Sequence, residues 1–323
     1  MASRKKLQVG LAELEELRAN PRSTAAIEKI RKALDGPSSH LAAAAARIVG
    51  EFEMDELEDC LVQAFGRFMD NPVKTDKGCV AKKAIAEALF QMRSHQEDLF
   101  LRGVRHVQME PVYGGKEDTA AELRYVSAMG LVNTGYPDVM LELAHLLADN
   151  VLDARIGAVR AIAYARQDAG VPLLRFKALM GDEDARVIYE SFRTLLDLSP
   201  EGSLSFVASF FDHQDPAVAE SAALALGESR LPEALDVLVE GWDNTLDQDL
   251  RRFLLLAIAM LRYDKAINFL LSLIENKSQG IAQDAIAALE MYQDDEQVWG
   301  RVQAIVDSRE DIDLSSIEHR HPS

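Results

Sequence analysis

Asp215-Pro-Ala-Val-Ala-Glu-Ser-Ala-Ala-Leu-Ala225 decides the fold, because the same layout recurs. Without gaps it aligns with Asp153–Ala163, Asp184–Thr194, Asp247–Ala257 and Ser278–Ala288. The five starts lie 31, 31, 32 and 31 residues apart. Each opens on a short polar residue whose oxygen suits a helix N-cap, then runs into apolar residues at helical spacing. Further helical stripes share the period. Leu204, Val207, Ala208 and Phe211 form one; Leu235, Leu238, Val239 and Trp242 the next. Ile267, Leu270, Leu271 and Ile274 follow, then Val298, Val302 and Ile305. Two independent patterns with one period mean a repeat of two helices.

Working outward, Asp76–Ala86 and Asp118–Ala128 fit the same template, and the Ala-rich run Leu41–Ala46 looks like the first copy. That makes about eight helix pairs. Alternating apolar and polar residues are absent, and Ala and Leu outweigh the β-branched residues, so no strand is expected. One helix pair cannot bury its own apolar stripe, so neighbouring pairs must stack. The expected fold is an all-α solenoid of stacked antiparallel helix pairs. It forms one domain over residues 1–306, irregular over 7–150 and regular over 151–306. An insertion interrupts it near 99–118. The polar stretch 307–323 is expected to be a disordered tail.

These segments, with Leu226-Gly-Glu-Ser-Arg-Leu-Pro-Glu-Ala-Leu235 continuing the first, resemble bacterial HEAT-like repeats. More narrowly they resemble the short variety named after phycobilisome lyases. The resemblance implies the solenoid architecture over nearly the whole chain. Such repeats occur in lyase subunits and in scaffolds, and no single catalytic motif carries over onto these residues.

Composition narrows the function. The 323 residues carry 35 Lys/Arg and 53 Asp/Glu, a formal charge of −18. That sign opposes general nucleic-acid binding, which needs a positive footprint. The longest apolar run, Phe253–Leu261, is too short to span a bilayer. The basic start Met1–Lys6 leads into an amphipathic acidic stretch rather than a signal-peptide core, so a cytoplasmic protein is expected. Cys60 and Cys79 have no CxxC spacing and read as reduced, helical thiols. Cys79, near Lys77, Lys82 and Lys83, is a weaker candidate for a lowered pKa. The scattered histidines form no metal spacing, and neither a metal nor a cofactor is called for.

The most unusual stretch is the insertion. It gathers Arg102, Arg105, His106, Gln108, Glu110, Tyr113 and Lys116 around Gly114-Gly115. Residues 67–124 hold ten Lys/Arg and nine Asp/Glu, a nearly neutral segment on an acidic body. If the chain folds back, Lys82, Lys83, Arg102, Arg105 and Arg124 converge into an anion-binding patch, since the Arg fork suits carboxylate or phosphate. The structural reading stands beside this one. Thr119 and Glu122 match a capping box. Arg102 and Arg105 then pair with Glu97, Asp98 or Glu110 and only fasten the insertion down.

The reading favoured by these observations is a non-enzymatic scaffold. It holds a protein partner, a basic one if the acidic surface steers it, along the concave face of the solenoid. The insertion shapes the recognition site. No catalytic residue is assigned, and the oligomeric state is left open. The alternative is a lyase-like enzyme or subunit acting on a protein-attached chromophore or other acidic ligand, near Arg105, His106 and Tyr113. A third reading, a HEAT-fold DNA glycosylase, lacks a positive stripe, and Trp242 and Trp299 fall in packing positions.

Overall fold

A computed structural model describes residues 2–312 of the chain. Its contacts cluster into two compact units, Met1–Ala165 and Arg166–Ser323.

The first unit opens with α1 (Ala2–Glu16), followed by the pair α2 (Thr24–Asp35) and α3 (Ser39–Glu51). Then come α4 (Glu58–Met69), the single turn α5 (Pro72–Thr75) and α6 (Val80–Gln91). α7 (Glu97–Val104) is separated from α8 (Ala121–Thr134) by β1 (Met109–Val112) and β2 (Gly115–Asp118). The pair α9 (Val139–Leu147) and α10 (Leu152–Ala165) closes the unit. The second helices α3, α6, α8 and α10 stack one on the next. Their small residues permit it: Ala42, Ala43, Ala45 and Ala46 of α3 are all fully buried. At Gly50 a Cβ would lie 2.7 Å from the Ala88 Cα of α6, so only glycine fits there.

The second unit repeats the plan more regularly. Its pairs are α11 (Gly170–Met180) with α12 (Ala185–Leu198) and α13 (Pro200–Ala208) with α14 (Pro216–Ser229). α15 (Ala234–Asn244) with α16 (Gln248–Met260) and α17 (Asp264–Asn276) with α18 (Gln279–Leu289) follow, then α19 (Glu296–Asp307) alone. The repeated aspartates do the capping that the sequence suggests. Asp215 accepts from the Ala217 amide at 3.0 Å, and Asp247 from the Asp249 and Leu250 amides at 2.9 and 3.2 Å. Gly227 meets Ala257 as Gly50 meets Ala88: a Cβ would sit 2.7 Å from the Ala257 Cα. Phe192, Leu226, Leu238, Leu254 and Leu270 belong to one continuous core.

Two expectations need correction. The insertion holds strands: β1 and β2 pair antiparallel, with Met109 opposite Asp118 and Val112 opposite Gly115. Second, Asp153 is not a cap but lies inside α10. In the described part of the 307–323 stretch, Asp307 ends α19, and Ser308, Glu310 and Asp311 are exposed. Ile312 joins the core, and Arg309 donates to the Lys277 carbonyl at 2.9 Å and to that of Ile274. Residues 313–323 lie outside the described residues. No helix among the described residues is long and apolar enough to cross a membrane.

Leu238 of α15 is fully buried, while Glu240 on the same helix is exposed. Leu238→Ala should destabilise the chain by about 2–5 kcal/mol in urea unfolding. Glu240→Ala should change stability by no more than about 0.5 kcal/mol. Equal effects would mean that α15 buries a different face.

Candidate functional site

The pairs of the second unit are joined by short turns. In the first unit two consecutive connections are long: residues 70–79 between α4 and α6, and 105–120 between α7 and α8. The two meet in a buried polar cluster that fixes the hairpin.

Aspartates and basic residues six positions apart build the base of this cluster. Asp76 accepts from the Ala81 and Lys82 amides at 2.8 and 3.0 Å, capping α6, and from Lys82 Nζ at 2.9 Å. Both side chains are fully buried. One pair later, Asp118 accepts from the Gln108 and Ala120 amides at 3.0 Å each and from Arg124 at 2.7 Å. Arg124, 2% exposed, also binds Asp149, its Nε 2.9 Å and its second terminal nitrogen 3.0 Å from the carboxylate. It donates as well to the His106 carbonyl at 2.9 Å. Asp149 in turn accepts from the Val151 amide at 2.8 Å, and its carbonyl accepts from Arg155. A buried cation needs such partners, since removing one side of the pair leaves an uncompensated charge at about 3–5 kcal/mol.

Glu110 locks the hairpin onto this base. Its carboxylate accepts from the Gly78 amide and the Gln108 side-chain amide, both at 2.6 Å, and from the Thr119 hydroxyl at 2.9 Å. Burial pulls the Glu110 and Asp118 carboxyls upward. The hydrogen bonds outweigh it, and both end below the usual carboxylate range. The Gln108 amide nitrogen also donates to the Asp76 carbonyl at 2.8 Å. Its oxygen therefore faces His106 Nε2 at 3.2 Å, which makes that nitrogen the protonated one. Burial pushes the His106 pKa below its ordinary value, so the imidazole is neutral near pH 7.

Two surfaces face outward from the clamped loop. The hairpin carries exposed apolar side chains, Val107, Met109, Val112 and Tyr113, the last fully exposed at the tip. Gly114 at that tip has φ +91°, a conformation that L side chains rarely adopt. Beside the hairpin, a cleft of about 550 Å³ is lined by Met69, Asp98, Leu101, Arg102, Arg105, His106 and Val107. The Arg102 guanidinium stands 5.9 Å from the Phe65 ring. Arg105 makes a two-pronged pair with Glu142 of α9, its Nε 3.0 Å from the carboxylate. That pairing holds the Glu142 carboxyl low, against the upward pull of burial.

The sequence-derived residues thus fall into three places. Arg102, Arg105 and His106 line the cleft. Gln108, Lys82 and Arg124 are buried in the cluster, and Lys83 pairs with Glu122 and Glu87 on the surface. Tyr113 and Lys116 sit out on the hairpin. The five cations of the suggested anion patch do not converge as free charges, because Lys82, Lys83, Arg105 and Arg124 each have a carboxylate partner. Arg105 chooses Glu142 over the nearer acids in sequence. The capping box is not formed either. Thr119 turns to Glu110, Glu122 to Lys83, and Asp118 accepts from the Ala120 amide instead. Burial pushes the Cys79 thiol up to about 12 despite Lys82, so it is no activated nucleophile. Among the described residues no group of three His, Cys, Asp or Glu side chains is placed to hold a metal ion. Sequence reading missed Asp149 and Glu142. The signal for Asp149 was there, in the six-residue spacing shared by Asp76–Lys82, Asp118–Arg124 and Asp149–Arg155.

Stacked helix pairs, with Asp184, Asp215 and Asp247 capping second helices of 14, 14 and 13 residues, are the arrangement of HEAT-like repeats. A family model described as HEAT repeats matches residues 172–252. No curated protein is similar enough in sequence to match. Among solved structures, the chain is similar to one chain in the structure of the complex of CpcE and CpcF of phycocyanin lyase from Nostoc sp. PCC7120. The identity is 16%, over 73% of this chain and 91% of that one, with a TM-score of 0.35. An engineered protein matches at 19% identity over 95% and 89%, with a TM-score of 0.37. Human deoxyhypusine hydroxylase in complex with glycerol matches at 15% over 89% and 98%, with a TM-score of 0.31. None of the three assigns an activity to this chain.

Glu110 generates a pH prediction. A carboxyl depressed in the folded state adds stability above its unfolded pKa, and that stability is lost as pH falls through the lower folded value. Urea unfolding from about pH 6 to about pH 2 should therefore show Glu110→Gln less stable than wild type at the upper end, with a shallower decline toward acid. Parallel curves would show that the Glu110 carboxylate is not linked to folding.

Proposed function

We propose that this protein is a non-enzymatic scaffold that recognises a protein partner through the hairpin Met109–Asp118 and the cleft beside it. The observation that carries the reading is the contrast within residues 105–120. The inner side is clamped by buried carboxylates, while Val107, Met109, Val112 and Tyr113 are held out in solvent. A rigid loop on a repeat scaffold loses little entropy on binding, and an exposed tyrosine with apolar neighbours is a favourable anchor. Arg102, with no carboxylate partner among the described residues, adds a polar contact at the rim.

The partner is basic in this reading. Residues 166–323 hold 29 Asp/Glu against 14 Lys/Arg, so most of the negative charge resides there. Such a field raises the encounter rate with a positive partner. Burial, with Asp249, Asp247 and Asp215 crowding in, raises the Glu220 carboxyl, and an approaching cation relieves that crowding. An acidic ligand in the cleft, as the lyase-like alternative requires, is served less well. Arg105 is committed to Glu142, and Asp98 shares the wall.

Affinity capture from host lysate with the Val112→Ser/Tyr113→Ser variant tests the proposal. A protein held by wild type should be lost by the variant while the unfolding midpoint stays within about 1–2 °C, as for other surface changes. Capture that survives the substitutions removes the hairpin as the recognition element.

A further inference from the structure

The charge of this chain reverses at its start. Residues 1–50 hold nine Lys/Arg and five Asp/Glu, a net of +4 on a chain of −18. Within that stretch, α1 rests on α3 and leaves a groove of about 730 Å³ bordered by α1, α2 and the start of α3. Leu14, Leu17 and Leu41 are among its apolar lining, and Lys6, Lys29 and Lys32 stand around it with Glu13 as the one acid. Among the described residues these three lysines have no carboxylate partner, so their charge is available to a ligand. α1 itself is thinly packed: Leu14 is buried, yet Val9, which also lines the groove, is 50% exposed.

Size selects among occupants. A helix with its side chains is about 10–12 Å across, so it would fill this volume in fewer than about two turns. A groove of several hundred cubic ångströms, mostly apolar with a few polar groups, is instead the ordinary format for a small ligand. The lysines fix the sign of that ligand's polar end, because an ammonium group is a point charge for an anion.

We propose that this groove binds a single-chain anionic amphiphile. Its alkyl chain lies along Leu14, Leu17 and Leu41, and its anionic head sits among Lys6, Lys29 and Lys32. The site is separate from the hairpin and stands or falls without the scaffold reading.

Calorimetric titration of the full chain with laurate, below its micellar concentration, tests this. The expected result is saturable binding of one laurate per chain. Octanoate should bind at least about tenfold more weakly, because it buries fewer methylenes. Dodecyltrimethylammonium should bind at least about tenfold more weakly too, and Lys29→Glu/Lys32→Glu should weaken laurate by about tenfold or more. Both lysines are exposed, so the variant should keep the wild-type unfolding midpoint. If it does not, Lys29→Gln/Lys32→Gln replaces it, with a loss in the same direction. Any of four results overturns the proposal: no saturable uptake, equal affinity for the cationic surfactant, laurate binding unchanged in both lysine variants, or binding to phosphatidylglycerol vesicles without binding to monomeric laurate.

Discussion

Close stacking of the second helices is the constraint from which the rest follows. Small residues bring α3 against α6 and α14 against α16 until there is no room for a Cβ at Gly50 or Gly227. Helices this close present their N-termini and the connections before them in consecutive rows. Polar groups in those rows lose water and must satisfy one another. In the second unit short Asp-capped turns suffice. In the first unit the connections are longer, and buried pairs fill the space: Asp76 with Lys82, then Asp118 with Arg124 and Asp149.

That arrangement explains why the insertion is ordered. A hairpin of two four-residue strands has little stability of its own in water. Here its inner residues are part of the polar cluster. Gln108 and Glu110 tie it to the 70–79 connection, and Thr119 and Asp118 tie it to the start of α8. The outer residues are thereby held in solvent at fixed positions. Order inside and apolar exposure outside come from the same hydrogen bonds.

The fold was legible because stacking leaves a periodic trace. Asp184, Asp215 and Asp247 cap the helices that their spacing marks, and Leu238, Leu270 and Val302 are buried as their stripes require. Legibility failed where a local rule competed with a tertiary one. The Asp153 stretch fitted the layout of the repeat, a polar start followed by apolar residues at helical spacing, yet Asp149 occupies the polar position that pairs with Arg124. Thr119 and Glu122 had the right spacing for a capping box, but Glu110 and Lys83 are better partners in three dimensions. Pro111 and the charged Lys116-Glu-Asp118 gave no strand pattern, because β2 has no core-facing side. Arg230 and Arg262 adopt left-handed φ of 53° and 59° after α14 and α16, where glycine would have marked the helix ends. The cleft was half legible: its basic residues stood out, but Glu142, 37 positions from Arg105, could not be paired by inspection.

The central claim is that buried carboxylates, rather than the hairpin's own strands, hold residues 105–120 rigid. Amide hydrogen exchange on wild type and Glu110→Ala tests it most directly. The account predicts that the Gly78, Gln108 and Ala120 amides of the wild type exchange about as slowly as the interior of α8. It also predicts that the Gly78 amide loses its protection in Glu110→Ala while α8 keeps its own. Free exchange across residues 105–120 in the wild type, or unchanged protection at Gly78 in the variant, would contradict it.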